Sequence, residues 1–205
     1  MNILAIGAHP DDIEIGCAGT LMKYKENGAK VYVMIISDGA FGGDPGVRRG
    51  EQEISAKVMG VDEIFWGGYK DTNLGYSLQQ MIGSIEIVMK KIEPAFIFAN
   101  YPKDTHQDHR ALADAITSAA RNARNVLFYE VPTSIDFSPT VFVDISEYME
   151  RKLKALKAHG SQVDKTNIEG LSILEIAKSA AHFRGTQGRV KLAEGFHPLR
   201  LFIGV

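Results

Sequence analysis

Two short runs concentrate the groups in this chain that could do chemistry. The first is His9-Pro10-Asp11-Asp12, an imidazole and two adjacent carboxylates directly after the apolar run Ile3–Ala8. An imidazole and a carboxylate suit a divalent metal such as zinc. His9 and Asp12 are three positions apart, so one helical turn or a tight turn would aim both at one point. Asp11 would then stand beside the metal without binding it, where a carboxylate can take a proton from metal-bound water. The same acids would also serve simply to cap the next helix. The second run is Thr105-His106-Gln107-Asp108-His109-Arg110, which holds two of the chain's six histidines and a carboxylate. A catalytic zinc takes three protein ligands and leaves a position for water. His9, Asp12 and one histidine of the second run supply such a set. A capped helix with Asp108 as an early-turn acid is the plain alternative here too.

Groups so far apart in sequence need a scaffold that brings them together. Short apolar runs alternate with longer amphipathic segments. Strands are predicted at Ile3–Ala8, Val31–Ile36, Glu63–Trp66, Ala95–Ala99, Val126–Glu130, Thr140–Asp144 and Leu199–Val205. Helices are predicted at Cys17–Asn27, Arg49–Met59, Leu78–Ile92, Asp108–Ala123, Glu147–His159 and Ile173–Phe183. This alternation predicts an α/β fold, a Rossmann-like three-layer α/β/α sandwich on a mostly parallel sheet, as a single domain over residues 1–205. In such sheets the site lies beyond the C-terminal strand ends. The segments there are His9–Asp12, Asp38-Gly39, Gly67-Gly68-Tyr69 and Asp104–His109, so both chemical runs converge on one edge.

Bulk properties exclude several classes. The chain has 205 residues, 45% hydrophobic and 23% charged, with a net charge of −2. That balance predicts neither nucleic-acid nor membrane-surface binding. No apolar run approaches the roughly 20 residues of a membrane span. The start Met1–Ile6 has no basic stretch and no cleavage site, so it reads as a strand rather than a signal peptide. The single cysteine, Cys17, excludes an intrachain disulfide and fits a reducing compartment, so a cytoplasmic location is expected.

Gly7-Ala8-His9-Pro10-Asp11-Asp12-Ile13-Glu14-Ile15-Gly16 resembles the opening signature of the PIG-L/LmbE-like deacetylases, and His106-Gln107-Asp108-His109 resembles their second. Arg48-Arg49-Gly50-Glu51 is similar to the family's Arg-x-x-Glu helix, and Ala193-Glu194-Gly195-Phe196 to its Ala-Glu-x-Phe element. The resemblance implies hydrolysis of the N-acetyl group of an N-acetylglucosamine-type substrate, with one zinc ion (Zn2+) per chain. It implies His9, Asp12 and His109 as zinc ligands and Asp11 as general base. His106 would steady the oxyanion or protonate the leaving amine, with Asp108 orienting it, and Arg48 would bind substrate. A homo-oligomer, trimer or hexamer, is implied in the same way. The chain departs from the pattern in three places. Gln107 stands where proline is common, Ala18 where glycine is common, and Asp104 where some members carry an oxyanion-binding tyrosine.

Of the remaining residues, Asp38 reads as a substrate contact or a turn former. Trp66 suits the core or a subunit interface, and Glu14 a partner behind the metal site or an exposed acid. Cys17 has no adjacent base to activate it. His159, His182 and His197 lack metal-ligand spacing. A zinc amidase acting on a non-sugar N-acyl group is the main rival reading. A nucleotide-binding protein is disfavoured because the first turn carries His-Pro-Asp-Asp rather than a glycine-rich phosphate loop. Specificity is expected in the loops Phe41–Val47 and Tyr69–Tyr76 and in the C-terminal third.

Overall fold

The computed structural model describes residues 1–203. The element order is β1 (Asn2–Gly7), α1 (Asp12–Glu26), β2 (Lys30–Ser37), α2 (Pro45–Met59), β3 (Glu63–Tyr69), α3 (Leu78–Ile92), β4 (Phe96–Asn100), α4 (Gln107–Ala119), β5 (Val126–Tyr129), β6 (Val141–Asp144), α5 (Met149–Lys157), α6 (Ile173–Gly188) and β7 (Ala193–Arg200). Single 3-10 turns lie at Ala40–Gly42 and Leu74–Ser77.

The seven strands form one sheet in the order β3-β2-β1-β4-β5-β7-β6. β1 to β5 are parallel, while β7 runs antiparallel to both β5 and β6. Successive residues of a strand face opposite sides. Leu4, Ile6 and Ala8 therefore pack with residues of α3 and α4. Ile3 and Ala5 pack against α1 on the other face, and Met22, Met59, Met149 and Ala181 join α1, α2, α5 and α6 into a further cluster on that side. These are the three layers expected. No helix among the described residues is long and apolar enough to cross a membrane.

Several boundaries differ from expectation, including the ends of β3, α4 and α6. Three others have plain physical reasons. Helix α1 begins at Asp12 rather than Cys17. Its residues from Asp12 to Met22 are buried on almost every side, polar ones included, so no apolar stripe marks its start. Helix α2 begins at Pro45, which suits the first helical position, and Asp44 Oδ1 caps it by accepting from Val47 N at 2.9 Å. The last strand is Ala193–Arg200, not Leu199–Val205. Gly195 and Pro198 break any strand-like pattern there, and residues 204–205 of the expected strand lie outside the described residues.

Strand order reverses at β1, whose neighbours β2 and β4 lie on opposite sides. The two chains leaving β1 and β4 diverge there and leave a crevice beyond the strand ends. His9–Asp12 follows β1, and the His106–His109 run follows β4.

Candidate active site

The turn after β1 is held from several sides. Ala8 N donates to Asn100 Oδ1 at 3.2 Å, and the Tyr129 hydroxyl lies 2.9 Å from Ile6 O, which fixes the end of the strand. The Tyr129 ring packs directly against Gly16, where a Cβ would come within 2.1 Å of it. His9 N donates to Asp12 Oδ2 at 2.9 Å and closes the turn. Asp11 takes a left-handed conformation with φ 98°, a region that only glycine, asparagine and aspartate adopt with ease. Two residues on one face of α2, four apart, keep it there. Arg48 Nη2 donates to Pro10 O at 2.6 Å and to Asp11 Oδ2 at 3.1 Å, and Gln52 Oε1 accepts from Asp11 N at 3.3 Å.

Three side chains face one another, with Asp12 meeting the two imidazoles through different oxygens. His9 Nδ1 lies 3.3 Å from His109 Nε2 and 3.6 Å from Asp12 Oδ2, and His109 Nε2 lies 3.3 Å from Asp12 Oδ1. Bonds of about 2.0–2.1 Å in a tetrahedral site put ligand atoms roughly 3.3–3.4 Å apart, so this triangle could hold a metal ion. The far nitrogen of each imidazole faces carboxylate. His9 Nε2 lies 3.0 Å from Asp71 Oδ1 and 3.3 Å from Asp108 Oδ2, and His109 Nδ1 lies 3.2 Å from Asp104 Oδ2. Such outer carboxylates fix ring orientation and raise ligand basicity. All six side chains are buried.

Four carboxylates around two imidazoles make a pocket that favours positive charge. Burial alone depresses the His109 pKa, but Asp12 and Asp104 outweigh it and lift it to about 9. His9 is likewise raised by Asp108, Asp12 and Asp71 against burial. Burial opposes ionisation of Asp12, yet His109 and His9 hold it well below the carboxylate range. For Asp11, burial dominates over Arg48 and raises the pKa to about 6.

His106 caps α4 and accepts from Asp108 N on its Nδ1 at 3.2 Å, which leaves the ring proton on Nε2. Its ring stacks on His109 with centroids 4.6 Å apart and meets His9 edge-on at 4.7 Å. Burial and the neighbouring His9 and His109 lower its pKa. His9, Asp11, Asp12, Arg48, His106 and His109 all line one cavity of about 910 Å³.

Two expectations need correction. The Asp108 carboxylate does not orient the His106 ring. It accepts from Thr72 N at 2.7 Å and Leu74 N at 3.3 Å and faces His9, and only its backbone N–H reaches His106. Asp38 is exposed, accepts from Ala40 N at 3.1 Å as a turn former, and is not among the cavity walls. Arg48 does reach the cavity, but its Nη atoms are committed to Gly39 O, Pro10 O and Asp11.

Sequence reasoning missed Asp71. Strand β3 runs to Tyr69, three residues beyond the expected end, and this moved Asp71 into the strand-end position where a carboxylate signals function. Asp104 looked like the loss of a tyrosine, but it is the partner of His109 and also receives Ser134 Oγ at 3.0 Å. The Arg-x-x-Glu helix and the Ala-Glu-x-Phe element have structural tasks. Glu51 accepts from Ser161 N and Oγ, both at 2.7 Å. Glu194 accepts from Gly19 N at 2.9 Å and Thr20 N at 2.7 Å, and from the buried Lys152 Nζ at 2.7 Å. Lys152 Nζ also donates to Ile15 O at 2.7 Å. Glu14, fully buried, accepts from Gln52 and Ser55 and lies 3.5 Å from His159 Nε2.

The sequence model for PIG-L, GlcNAc-PI de-N-acetylase, matches residues 4–120. The chain is 35% identical to the uncharacterized deacetylase YaiS of Escherichia coli over 168 residues, 78% of this chain and 91% of that one. It is 32% identical to the diacetylchitobiose deacetylase of Thermococcus kodakarensis over 187 residues, 78% of this chain and 70% of that one. Among solved structures it is similar to the conserved protein TT1542 from Thermus thermophilus, with a TM-score of 0.87 and 25% identity, covering 99% of this chain and 96% of that one.

Proposed function

The chain belongs to the PIG-L family of de-N-acetylases, and on that premise we propose that it is a zinc-dependent hydrolase that removes the acetyl group from an N-acetylglucosamine-type sugar. The observation that carries this reading is the triangle of His9, Asp12 and His109, with separations of 3.3–3.6 Å, opening on the same cavity as Asp11 and His106. The donor set of two imidazoles and one carboxylate suits zinc, as do the carboxylates behind both rings. Zinc held there would supply Lewis acidity to the amide carbonyl and to the attacking water.

The chain's own groups do the rest. Asp11 takes the proton from the attacking water. Its carboxylate is aimed by Arg48, and its backbone is pinned by Gln52. His106 presents its Nε2–H to the cavity, because Nδ1 is occupied by the Asp108 backbone. That N–H donates to the oxyanion of the tetrahedral intermediate. The proton gained by Asp11 then passes to the departing amine. We assign Asp108 to aligning His9 rather than His106. We assign Arg48 chiefly to holding Asp11, so the sugar specificity rests on the relatives and on the outer part of the cavity. The test is acetate release by the zinc-loaded protein from N-acetylglucosamine, its disaccharide and its malate conjugate. Release from at least one is expected. Release only from non-sugar N-acetyl amides would transfer the chemistry to the rival amidase reading.

A further inference from the structure

Glu14 is an acid that the chemistry above does not use. It is fully buried in the first turn of α1, facing Gln52 and Ser55, which are also fully buried and lie three positions apart on α2. Glu14 Oε1 accepts from Gln52 Nε2 at 2.7 Å and from Ser55 Oγ at 2.8 Å, and His159 Nε2 lies 3.5 Å from the same oxygen. Glu14 Oε2 has no hydrogen-bond partner among the described residues. A carboxylate costs free energy to bury, and an apolar side chain of similar size would pack α1 against α2 at least as well. An oxygen left without a partner adds to that cost. Helix packing alone therefore does not account for an acid at this position.

The bonds of Gln52 supply an account. A carboxylate only accepts hydrogen bonds, and a backbone N–H only donates. Gln52 stands between one of each. Its Nε2 faces Glu14, which leaves its Oε1 to accept from Asp11 N at 3.3 Å. Turned over, the same amide would set its oxygen against the carboxylate and its NH2 against the Asp11 N–H. Glu14 thus dictates which end of Gln52 meets Asp11. Direction matters here because Asp11 has a φ of 98°, a conformation that needs outside support. Arg48 grips Pro10 O and the Asp11 carboxylate but not the Asp11 N–H.

We propose that Glu14 is a positioning residue for Asp11. By fixing the direction of the Gln52 amide it holds the Asp11 backbone, and so aims the carboxylate at the attacking water. This inference rests on the reading of Asp11 as general base, but its geometric half is measured without turnover. On the zinc-loaded protein, NMR hydrogen exchange follows the Asp11 amide. Acetate release gives kcat and KM on whichever of N-acetylglucosamine, its disaccharide and its malate conjugate turns over fastest. Glu14→Gln leaves a neutral amide that accepts or donates, so Gln52 is free to turn. Exchange at Asp11 is expected to quicken about tenfold. Turnover is expected to fall about tenfold in kcat, with KM and zinc content as in wild type. Gln52→Met removes the acceptor outright and is expected to do at least as much. Adding Glu14→Gln to it is expected to cost nothing further in kcat, because Glu14 acts through Gln52. Ser55→Ala takes a donor from Glu14 but leaves both Gln52 bonds, so it is expected to lower the melting temperature without quickening exchange at Asp11. Should Glu14→Gln not fold, Glu14→Asp keeps the charge, draws it back by one methylene and carries the same expectation. Wild-type exchange or wild-type kcat in the Glu14 variant, losses that multiply in the double variant, or equal quickening in Ser55→Ala would overturn the proposal. No acetate release by the wild-type protein, with exchange at Asp11 still governed by Glu14, would sink the deacetylase reading and leave the positioning of Asp11 standing.

Discussion

Asp11 is the residue on which structure and chemistry press hardest. It is held in a left-handed backbone conformation, and its acid is part-buried beside a second carboxylate, Asp12. Strain of this kind persists where the surroundings over-determine it, and it gathers at working sites. Asn tolerates the same backbone, so Asp11→Asn isolates the carboxylate. Turnover should fall by at least about 10²-fold, with metal content by elemental analysis unchanged; wild-type turnover would remove Asp11 as the base. The same variant has a stability signature in the metal-free protein. Burial raises the folded-state pKa of Asp11 from 3.8 to about 6. A raised pKa means the folded state binds the proton more tightly than the unfolded state. Its contribution is therefore present in acid and lost as pH rises toward 6. The melting temperature of Asp11→Asn relative to wild type should accordingly climb between pH 4 and 7, and a flat difference would contradict the burial of the charge. Asp71 gives a third test at this scale. With its carboxylate on His9 Nε2, Asp71→Asn should weaken metal binding about 10–100-fold in chelator competition.

At the scale of elements, α1 concentrates the difficulty. It carries Asp12 in its first turn and is buried along most of its length. An α-helix joins the carbonyl of one residue to the N–H four positions on. In α1 the groups of one such pair, Ile15 O and Gly19 N, are also engaged from outside, by Lys152 and Glu194. That ion pair is buried at both ends. Lys152→Met leaves Glu194 buried without its cation and should cost about 3–5 kcal/mol in a urea melt; a loss below 1 kcal/mol would show the pair to be dispensable. Legibility from sequence follows the same physics. Strands β1, β2 and β4 were readable because burial on both faces makes a continuous apolar run, and α3 was readable because only one of its faces is buried. The start of α1 was not, because uniform burial erases periodicity. Nor was β7, which owes its place to pairing with β5 and β6 rather than to its own composition. His9, Asp12 and His109 were legible as types and spacing. Asp71, Asp104 and Gln52 were not, because their meaning lies in what they touch across the fold.

On the scale of the whole molecule, the sheet sets what is fixed and what varies. The reversal of strand order at β1 puts the triangle at the crevice between β1 and β4, far from either edge. The outer cavity instead comes from connections, the turn after β2 and the strap before α6. The edge strand β3 is guarded rather than bare. Arg49 lies 4.5 Å above the Trp66 ring and Lys91 lies 4.6 Å above Phe65, and cations on an edge discourage strand-to-strand association. The Lys152–Glu194 clamp on α1 carries one more consequence. Synthesis delivers both signature runs early, yet the helix that presents Asp12 is completed by residues 152 and 194. The candidate metal-binding side chains all precede residue 110, whereas two of the contacts that hold α1 come from residues 152 and 194. The helix near the start of the chain therefore gains its full set of hydrogen bonds only when the segment carrying Glu194 has docked between β5 and β6.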